Sequence, residues 1–256
     1  MPKFGFSGGQ PIVGTMVTMP SRVKNLEAVL SRIVGQVDHF YLFLDNFGNV
    51  PLPQSIQQDP RINVLKAEEM GNLRGDAAFL ASRFHPGDHI VLKFDDDILY
   101  PANYCRVLVG ELARSRGSVI IGVHGRIFVP PHRSYVSDAL CFHFADQLAK
   151  TCHVHELGSG TSAFHSRAMR FDPGAWEYVN MADINIAIEA QRRGIPRIAV
   201  ARPANWLRPL EQDQANSLWL QAKKDDRVQS SLMRKILADY SDIQSSPRKI
   251  QRRSAG

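Results

Sequence analysis

The first hundred residues alternate short β-rich apolar runs with segments whose apolar positions recur every three to four residues. Alternation of this kind is typical of parallel strands joined by right-handed helical crossovers. The runs predict buried strands at 12–18, 40–44, 62–65 and 89–94. The intervening segments predict a helix after a plausible Ser21 cap, with Val23, Leu26, Val29, Leu30 and Ile33 on one face, and a second helix at 76–84.

The pattern changes after residue 101 but remains that of a single domain, without an internal repeat. Helices are predicted at 104–115 and 181–193, the latter stopped by Gly194 with Pro196 just beyond. Strands are predicted at 119–124, 153–157, 162–165 and 198–201. The polar, proline-containing stretch 126–140 is predicted to be a connection.

Three consecutive aspartates, Asp95, Asp96 and Asp97, follow the strand predicted at 89–94. Carboxylates stacked at a strand end repel one another, and a hard divalent cation with oxygen ligands is their natural companion. The sequence therefore predicts a site for a metal and a phosphate-bearing substrate. The alternative is a solvated acidic turn, which the apolar residues at 98–101 disfavour.

Four segments in order give a family resemblance: 13–22 (VGTMVTMPSR), 94–101 (FDDDILYP), 157–164 (LGSGTSAF) and 180–184 (NMADI). Over roughly residues 11–210 the chain resembles the GT-A-fold glycosyltransferases, and most of all bacterial family-2-type transferases of surface-glycan synthesis. The resemblance implies a single Rossmann-like α/β domain whose mostly parallel central sheet is flanked by helices. It also implies a nucleotide-diphosphate sugar donor, expected to be UDP-linked, and Mn²⁺ or Mg²⁺.

The resemblance also implies an organisation along the chain. Residues 1–10 are expected to be a flexible amino terminus, and 11–210 the transferase domain, with a nucleotide-binding half at 11–100 and an acceptor half at 101–210. A lid segment within 211–219 and a carboxy-terminal helix are expected in 211–243. The segment 244–256 is basic and poor in apolar residues, so it is expected to be a disordered tail.

Donor and metal residues follow from the matched positions. Asp97 is the expected metal ligand, while Asp95 shares the metal or faces the ribose. The other candidates for donor contact are Thr18, Arg22, Asp45, Arg74, Asp76 and Asp96. Asp45 could equally belong to an Asp-Asn turn, Asp76 could cap a helix, and either arginine could be solvated at the surface.

Asp183 is the candidate general base, which would take the proton from the acceptor hydroxyl in an inverting transfer. It matches the position of the catalytic acid residue in related enzymes, although an acidic residue is favoured at any helix start. The usual acidic pair is absent, because Ala182 precedes it. Gly158 and Gly160 are expected to line the sugar pocket, or else to form an ordinary turn. Trp206 could stack on a sugar, or be core.

Net charge and cysteine spacing bear on the partners and the location of the protein. The formal net charge is +6, and the tail alone carries Arg248, Lys249, Arg252 and Arg253. It could contact anionic lipid at the inner membrane face, or simply keep the protein in solution; nucleic acid is a remote partner. No transmembrane run or signal peptide is recognised, and Cys105, Cys141 and Cys152 have no CxxC spacing, so a cytoplasmic location is predicted.

The expected acceptor is a glycan or a lipid-linked glycan. Three other functions are weighed against a glycosyltransferase acting on it: a sugar nucleotidyltransferase, a non-catalytic nucleotide-sugar-binding module, and a transferase acting on modified DNA. The first is disfavoured because 15–22 lacks a glycine-rich phosphate loop with Lys and Arg.

Overall fold

The computed structural model describes residues 9–210 and 218–237. The strands in this part of the chain are β1 Ile12–Thr18, β2 His39–Leu44, β3 Ile62–Lys66, β4 Ile90–Phe94, β5 Ile98–Leu99, β6 Ile120–Gly122, β7 Gly125–Phe128, β8 Ala139–Phe142, β9 Cys152–His153, β10 Glu156–Leu157, β11 Ser162–His165, β12 Arg197–Ala199 and β13 Arg208–Pro209. The helices are α1 Val23–Ile33, α2 Gln54–Gln57, α3 Ala81–Phe84, α4 Tyr104–Arg114, α5 Ala182–Arg192, α6 Leu218–Lys224 and α7 Arg227–Leu237.

The centre of the molecule is an eight-stranded mixed sheet in the order β3-β2-β1-β4-β11-β6-β12-β9. Six strands run in one direction, while β11 and β9 run against their neighbours. The first four strands are parallel, so their carboxyl ends meet at one edge of the sheet, where open α/β sheets bind ligands. The predicted α/β class with a mostly parallel central sheet is confirmed.

Both faces of the sheet are covered, which explains why its central strands are nearly continuous apolar runs. Helix α1 buries Leu26, Val29, Leu30 and Ile33, as its helical spacing predicts, together with residues of β1, β4 and α4. The opposite face packs against the 3₁₀ segment Arg74–Leu80 and α3. This segment also fixes β1, because the Thr15 hydroxyl donates to the Ala78 carbonyl at 2.8 Å.

A smaller three-stranded antiparallel sheet, in the order β10-β7-β8, lies in the second half. The prediction of a connection over 126–140 is wrong at both ends, because β7 extends to Phe128 and β8 begins at Ala139. Polarity was misleading here. Arg126 is a buried strand residue, and its charge is balanced by Glu156 directly across the sheet.

Two helix-start predictions also need correction. Ser21 does not cap α1, because it lies within the 3₁₀ turn Pro20–Arg22 and the position before Val23 is Arg22, without a side-chain cap. The segment 76–84 becomes α-helical only at Ala81. The expected tail and most of the expected lid lie outside the described residues.

Candidate active site

The candidate site begins where β1, β2 and β4 end side by side. The Thr18 hydroxyl at the end of β1 donates to Asp96 Oδ2 at 2.7 Å. The Asp45 amide, just after β2, donates to the Thr18 carbonyl at 2.8 Å. Burial raises the pKa of the Asp45 carboxyl, and the positive charge of Arg74 opposes this rise. Thr18 thus ties the end of β2 to the aspartates after β4.

Arg22 links the first turn after β1 to two of the aspartates. Its Nη1 lies 3.6 Å from Asp96 Oδ1 and 3.1 Å from Asp97 Oδ2. Burial is the main cause that raises the pKa of Asp96 to about 6, and the hydrogen bond from Thr18 and the charge of Arg22 oppose it. The guanidinium therefore compensates part of a negative charge that the fold concentrates at this edge.

Lys93 provides a second cation, from inside β4. Its ammonium forms a hydrogen-bonded ion pair with Asp95, and the lysine is 7% exposed. Burial lowers the pKa of Lys93, but the charges of Asp95, Asp183 and Asp96 outweigh it, so the pKa is raised overall. Lys93 therefore places a buried positive charge among the carboxylates of the site.

Asp95 is also fixed by the glycine loop. A Cβ at Gly160 would overlap the Asp95 carboxyl group, so any larger residue here would displace that carboxyl. The Tyr100 hydroxyl joins the two segments: it accepts from the Asp95 amide at 2.8 Å and donates to the Gly160 carbonyl at 2.6 Å. Tyr100 is fully buried, so this bridge is shielded from water.

Asp183 lies in the first turn of α5, where the helix dipole favours a carboxylate. Its Oδ1 accepts from the Ser159 amide at 2.7 Å. Ser159 is adjacent to Gly160. One residue of this loop therefore donates a hydrogen bond to Asp183, and the next packs against the Asp95 carboxyl group. The loop brings the two carboxylates from distant parts of the chain into one site.

The approach to α5 is held from the other side by Asp76. The Asn180 amide donates to Asp76 Oδ2 at 2.7 Å, and Asn180 Oδ1 accepts from the Gly75 amide at 3.0 Å. Asn180 adopts a left-handed backbone with φ 62°, a conformation that asparagine tolerates well. This reciprocal pair fixes the start of the helix that carries Asp183.

A buried charge pair lies in the small sheet of β10, β7 and β8. Arg126 Nη1 is 3.6 Å from Glu156 Oε1, which also accepts from the Tyr135 hydroxyl at 2.7 Å. Burial is the largest cause that raises the pKa of Glu156 to about 7, and the charge of Asp183 raises it further. The Trp219 ring of α6 lies 5.3 Å from the Arg126 guanidinium. These residues connect α6 to the neighbourhood of Asp183.

The aspartates fit a hard divalent cation only in part. Carboxylate oxygens are suitable ligands, and Asp97 and Asp95 present them at the end of β4. Within residues 9–210 and 218–237, however, no group of three or more His, Cys, Asp or Glu side chains could hold a metal ion. A cation held by Asp95 and Asp97 would therefore need further ligands from outside this set of side chains.

No protein-family model and no curated protein matches the chain. Solved structures do. The chain is similar to a structure of S. aureus TarS 1-349, with 9% identity and a TM-score of 0.44. That similarity covers 76% of this chain and 59% of TarS 1-349, so this chain spans less than two thirds of it.

A second similarity is more extensive. It is to the mannosyltransferase PcManGT from Pyrobaculum calidifontis in complex with GDP-Man and Mn²⁺, with 13% identity and a TM-score of 0.52. It covers 97% of this chain and 80% of the mannosyltransferase. The chain has a glycosyltransferase fold. The predicted fold type is thereby confirmed.

The glycosyltransferase fold gathers most of the predicted residues at one edge of the sheet. The central group is Thr18, Arg22, Asp95, Asp96, Asp97, Gly160 and Asp183. Asp45 and Arg74 form a neighbouring group, and Asp76 lies behind Asp183 in the 3₁₀ segment.

Two other predicted residues have different surroundings. Gly158 packs against the His124 side chain. The Trp206 ring packs on Tyr104, and its Nε1 donates to Asn103 Oδ1 at 3.2 Å.

Sequence reasoning missed Lys93, Tyr100 and Asn180. A signal existed for Lys93, because side chains two apart on a strand share a face, which places Lys93 and Asp95 together. A lysine within an otherwise apolar strand is also unusual. Tyr100 and Asn180 lie within the matched segments 94–101 and 180–184, but those segments do not show their roles, since these depend on residues about 60 and 104 positions away.

Asp76 gives a prediction for stability against pH. It is 1% exposed, and burial is the first cause that raises its pKa to about 7, from 3.8. Between these values the folded protein keeps a proton that the unfolded chain releases, so the free energy of unfolding falls as pH rises from about 4 to 7. We expect Asp76→Asn to be more stable than the wild type at pH 8 by about 1–3 kcal/mol, measured by urea unfolding.

The matched control is Asp59→Asn. Asp59 is a surface carboxylate whose pKa is lowered by its hydrogen bond to Arg61, so this variant should gain nothing at pH 8. An Asp76→Asn protein less stable than the wild type at pH 8 would show that the ionised carboxylate stabilises the fold.

Proposed function

We propose that the chain is a metal-dependent, inverting glycosyltransferase that moves a sugar from a nucleotide-diphosphate donor to a hydroxyl of a glycan acceptor. One observation carries this proposal. The Ser159 amide holds Asp183, and the adjacent Gly160 leaves the space that Asp95 fills. The candidate base and one candidate metal ligand, Asp95, therefore contact neighbouring residues of a single loop.

The chain's residues would divide the chemistry as follows. Asp183 accepts the proton of the acceptor hydroxyl while that oxygen bonds to the anomeric carbon from the face opposite the diphosphate. The bond between the anomeric carbon and the diphosphate oxygen breaks, and the nucleoside diphosphate leaves with its electrons. Ser159 orients the base by occupying Asp183 Oδ1. Arg22 can place its guanidinium on a phosphate, which its planar geometry suits.

Asp97, with Asp95, would hold a divalent cation. Such a cation, when bound, neutralises the charge that develops on the leaving diphosphate. Lys93 keeps Asp95 in place and limits repulsion among the three aspartates. Thr18 keeps Asp96 in place through the hydrogen bond from its hydroxyl.

The identity of the donor is open to direct test. The sequence resemblance favours a UDP-linked sugar, whereas the mannosyltransferase with the similar fold was solved with GDP-Man and Mn²⁺. A thermal-shift screen of UDP-, GDP-, CMP- and TDP-sugars with Mn²⁺ would identify the nucleotide, because a ligand that binds the native state raises Tm.

Asp97 gives the prediction that tests the metal. We expect Asp97→Asn to weaken donor binding in Mn²⁺ by ~10-fold or more, because one charged ligand becomes a neutral amide. Isothermal titration of the donor that the screen identifies would measure this change. EDTA should weaken donor binding by the wild type about as much as the substitution does. It should hardly change donor binding by the variant.

The control is Glu111→Gln, on the surface of α4, which should bind the donor normally. Turnover and donor binding that are indifferent to EDTA would eliminate the metal. Release of pyrophosphate from a nucleoside triphosphate would instead identify a sugar nucleotidyltransferase.

A further inference from the structure

Helix α6 carries an unusual concentration of exposed apolar side chains. Leu218 is 53% exposed, Trp219 44% and Leu220 37%, while Ala222 is the buried residue of this helix. A surface helix normally buries its large apolar residues and exposes polar ones. In α6 three consecutive large apolar residues are exposed and a small one is buried, which indicates a surface with a partner.

The outward face of α6 combines two of these residues, Trp219 and Leu220, with two lysines. At 100° per residue, Trp219 and Lys223 are one turn apart, and so are Leu220 and Lys224. The Lys223 ammonium lies 5.6 Å from the centre of the Trp219 ring, as this spacing requires. An indole and an aliphatic side chain flanked by lysines are the composition of helices that lie in a membrane interface.

The nearby acidic residues leave the face cationic. Asp225 is paired with Arg227 at 2.6 Å. Asp226 faces inward, where it accepts from the Ser134 hydroxyl at 2.6 Å and from the Val136 amide at 2.9 Å. Among the described residues next to α6, the charge left on this face is thus that of Lys223 and Lys224, which complements an anionic surface.

The α6 face adjoins the candidate acceptor side of the site. The ring of Trp219 contacts the Arg126 guanidinium, which pairs with Glu156, and the charge of Asp183 acts on Glu156. A surface bound to α6 would therefore be linked to the candidate site through Arg126 and Glu156. Within the described residues, no helix is both long and apolar enough to cross a bilayer.

We propose that the α6 face, made by Trp219, Leu220, Lys223 and Lys224, binds the surface of an anionic lipid bilayer. Trp219 and Leu220 enter the interface, while the lysine ammonium groups extend to the lipid phosphates. Resting on the proposed function, this assigns the acceptor to a class: a glycan carried on a membrane lipid and presented from the α6 side of the site.

Co-sedimentation with vesicles tests the proposal directly, in the absence of donor. The full-length chain should bind vesicles of phosphatidylglycerol and phosphatidylcholine, and bind pure phosphatidylcholine much more weakly. Leu220→Ser should weaken binding ~10-fold, since an interfacial leucine is lost. Lys223→Gln with Lys224→Gln should give a similar loss at low salt and a smaller one at high salt.

The matched control is Val64→Ser on β3, which is as exposed as Leu220 but lies on a different element, and which should bind like the wild type. Trp219 is left unchanged because it contacts Arg126. Undiminished vesicle binding by the leucine variant would overturn the proposal. So would loss of binding only in Arg248→Gln, Lys249→Gln, Arg252→Gln and Arg253→Gln combined, which would assign the lipid contact to the tail.

Two further measurements separate this proposal from others. Light scattering that shows a wild-type dimer and a monomeric leucine variant, without vesicle binding by either, would assign the α6 face to self-association and overturn the lipid proposal. Donor binding with Mn²⁺, measured without vesicles, should be normal in the leucine variant. Failure of donor binding in the wild type would count against the proposed function. The vesicle assay would still test lipid binding independently of that result.

Discussion

Asp183→Asn should lower kcat by ~10²–10⁴ while the Kd of the donor changes little. Asparagine keeps the shape of aspartate and can still accept the Ser159 amide through Oδ1, so the start of α5 should stay in place. What it loses is the ability to accept a proton from the acceptor hydroxyl. Steady-state transfer kinetics and calorimetric donor titration measure the two quantities separately.

The control for this variant is the surface change Glu111→Gln, which should leave kcat within a factor of about 2–3. If Asp183→Asn instead lowered Tm and kept kcat near the wild-type value, Asp183 would be a helix-start stabiliser. The inverting assignment would then lose its main support.

Gly160→Ala should abolish transfer almost completely, by ~10² or more, and weaken Mn²⁺-supported donor binding. The added methyl group would occupy the position of the Asp95 carboxyl, so Asp95 must leave Lys93 or the loop must leave the Tyr100 hydroxyl. Displacement of a site residue by about 1 Å can cost 10²-fold in rate. Overpacking should also cost about 1–3 kcal/mol of stability, measured by urea unfolding.

Gly110→Ala is a matched control for Gly160→Ala. Gly110 is inside α4, and a Cβ there meets no atom within 4 Å. Alanine at this position should raise stability by about 0.5–1 kcal/mol and leave turnover unchanged. Normal turnover in Gly160→Ala would show that Asp95 can move without loss, and would remove the loop from the proposed chemistry.

Local pattern was a good guide to the central sheet and its helices and a poor one to the small sheet in the second half. The strands β1, β2 and β4 are nearly continuous apolar runs because both faces of the central sheet are covered, and α1 and α5 have ordinary helical spacing. The strands β7 and β8 of the small sheet escaped prediction. A charged residue such as Arg126 is typical of a loop. It is buried in a strand here because Glu156, thirty positions away, lies opposite it in the small sheet.

The candidate site shows the same division. Three aspartates after a buried strand predict a cation-binding edge from their charge alone. The candidate role of Asp183 as the base follows from the match of its segment to related transferases. Neither fact predicts that Lys93 pairs with Asp95, or that Tyr100 bridges Asp95 and Gly160. Pairings of this kind require positions in space, which strand register determines.

By itself, therefore, the sequence determined which segments become buried strands and helices, because hydrophobic periodicity is a local property of the chain. It also determined that negative charge accumulates after β4, since adjacent carboxylates cannot separate. Only the tertiary structure decided that the loop at Ser159 and Gly160 joins Asp183 to Asp95, and that α6 turns Leu218 and Trp219 outward. Those outcomes depend on close packing between segments far apart in the chain, where one methyl group decides whether two groups can meet.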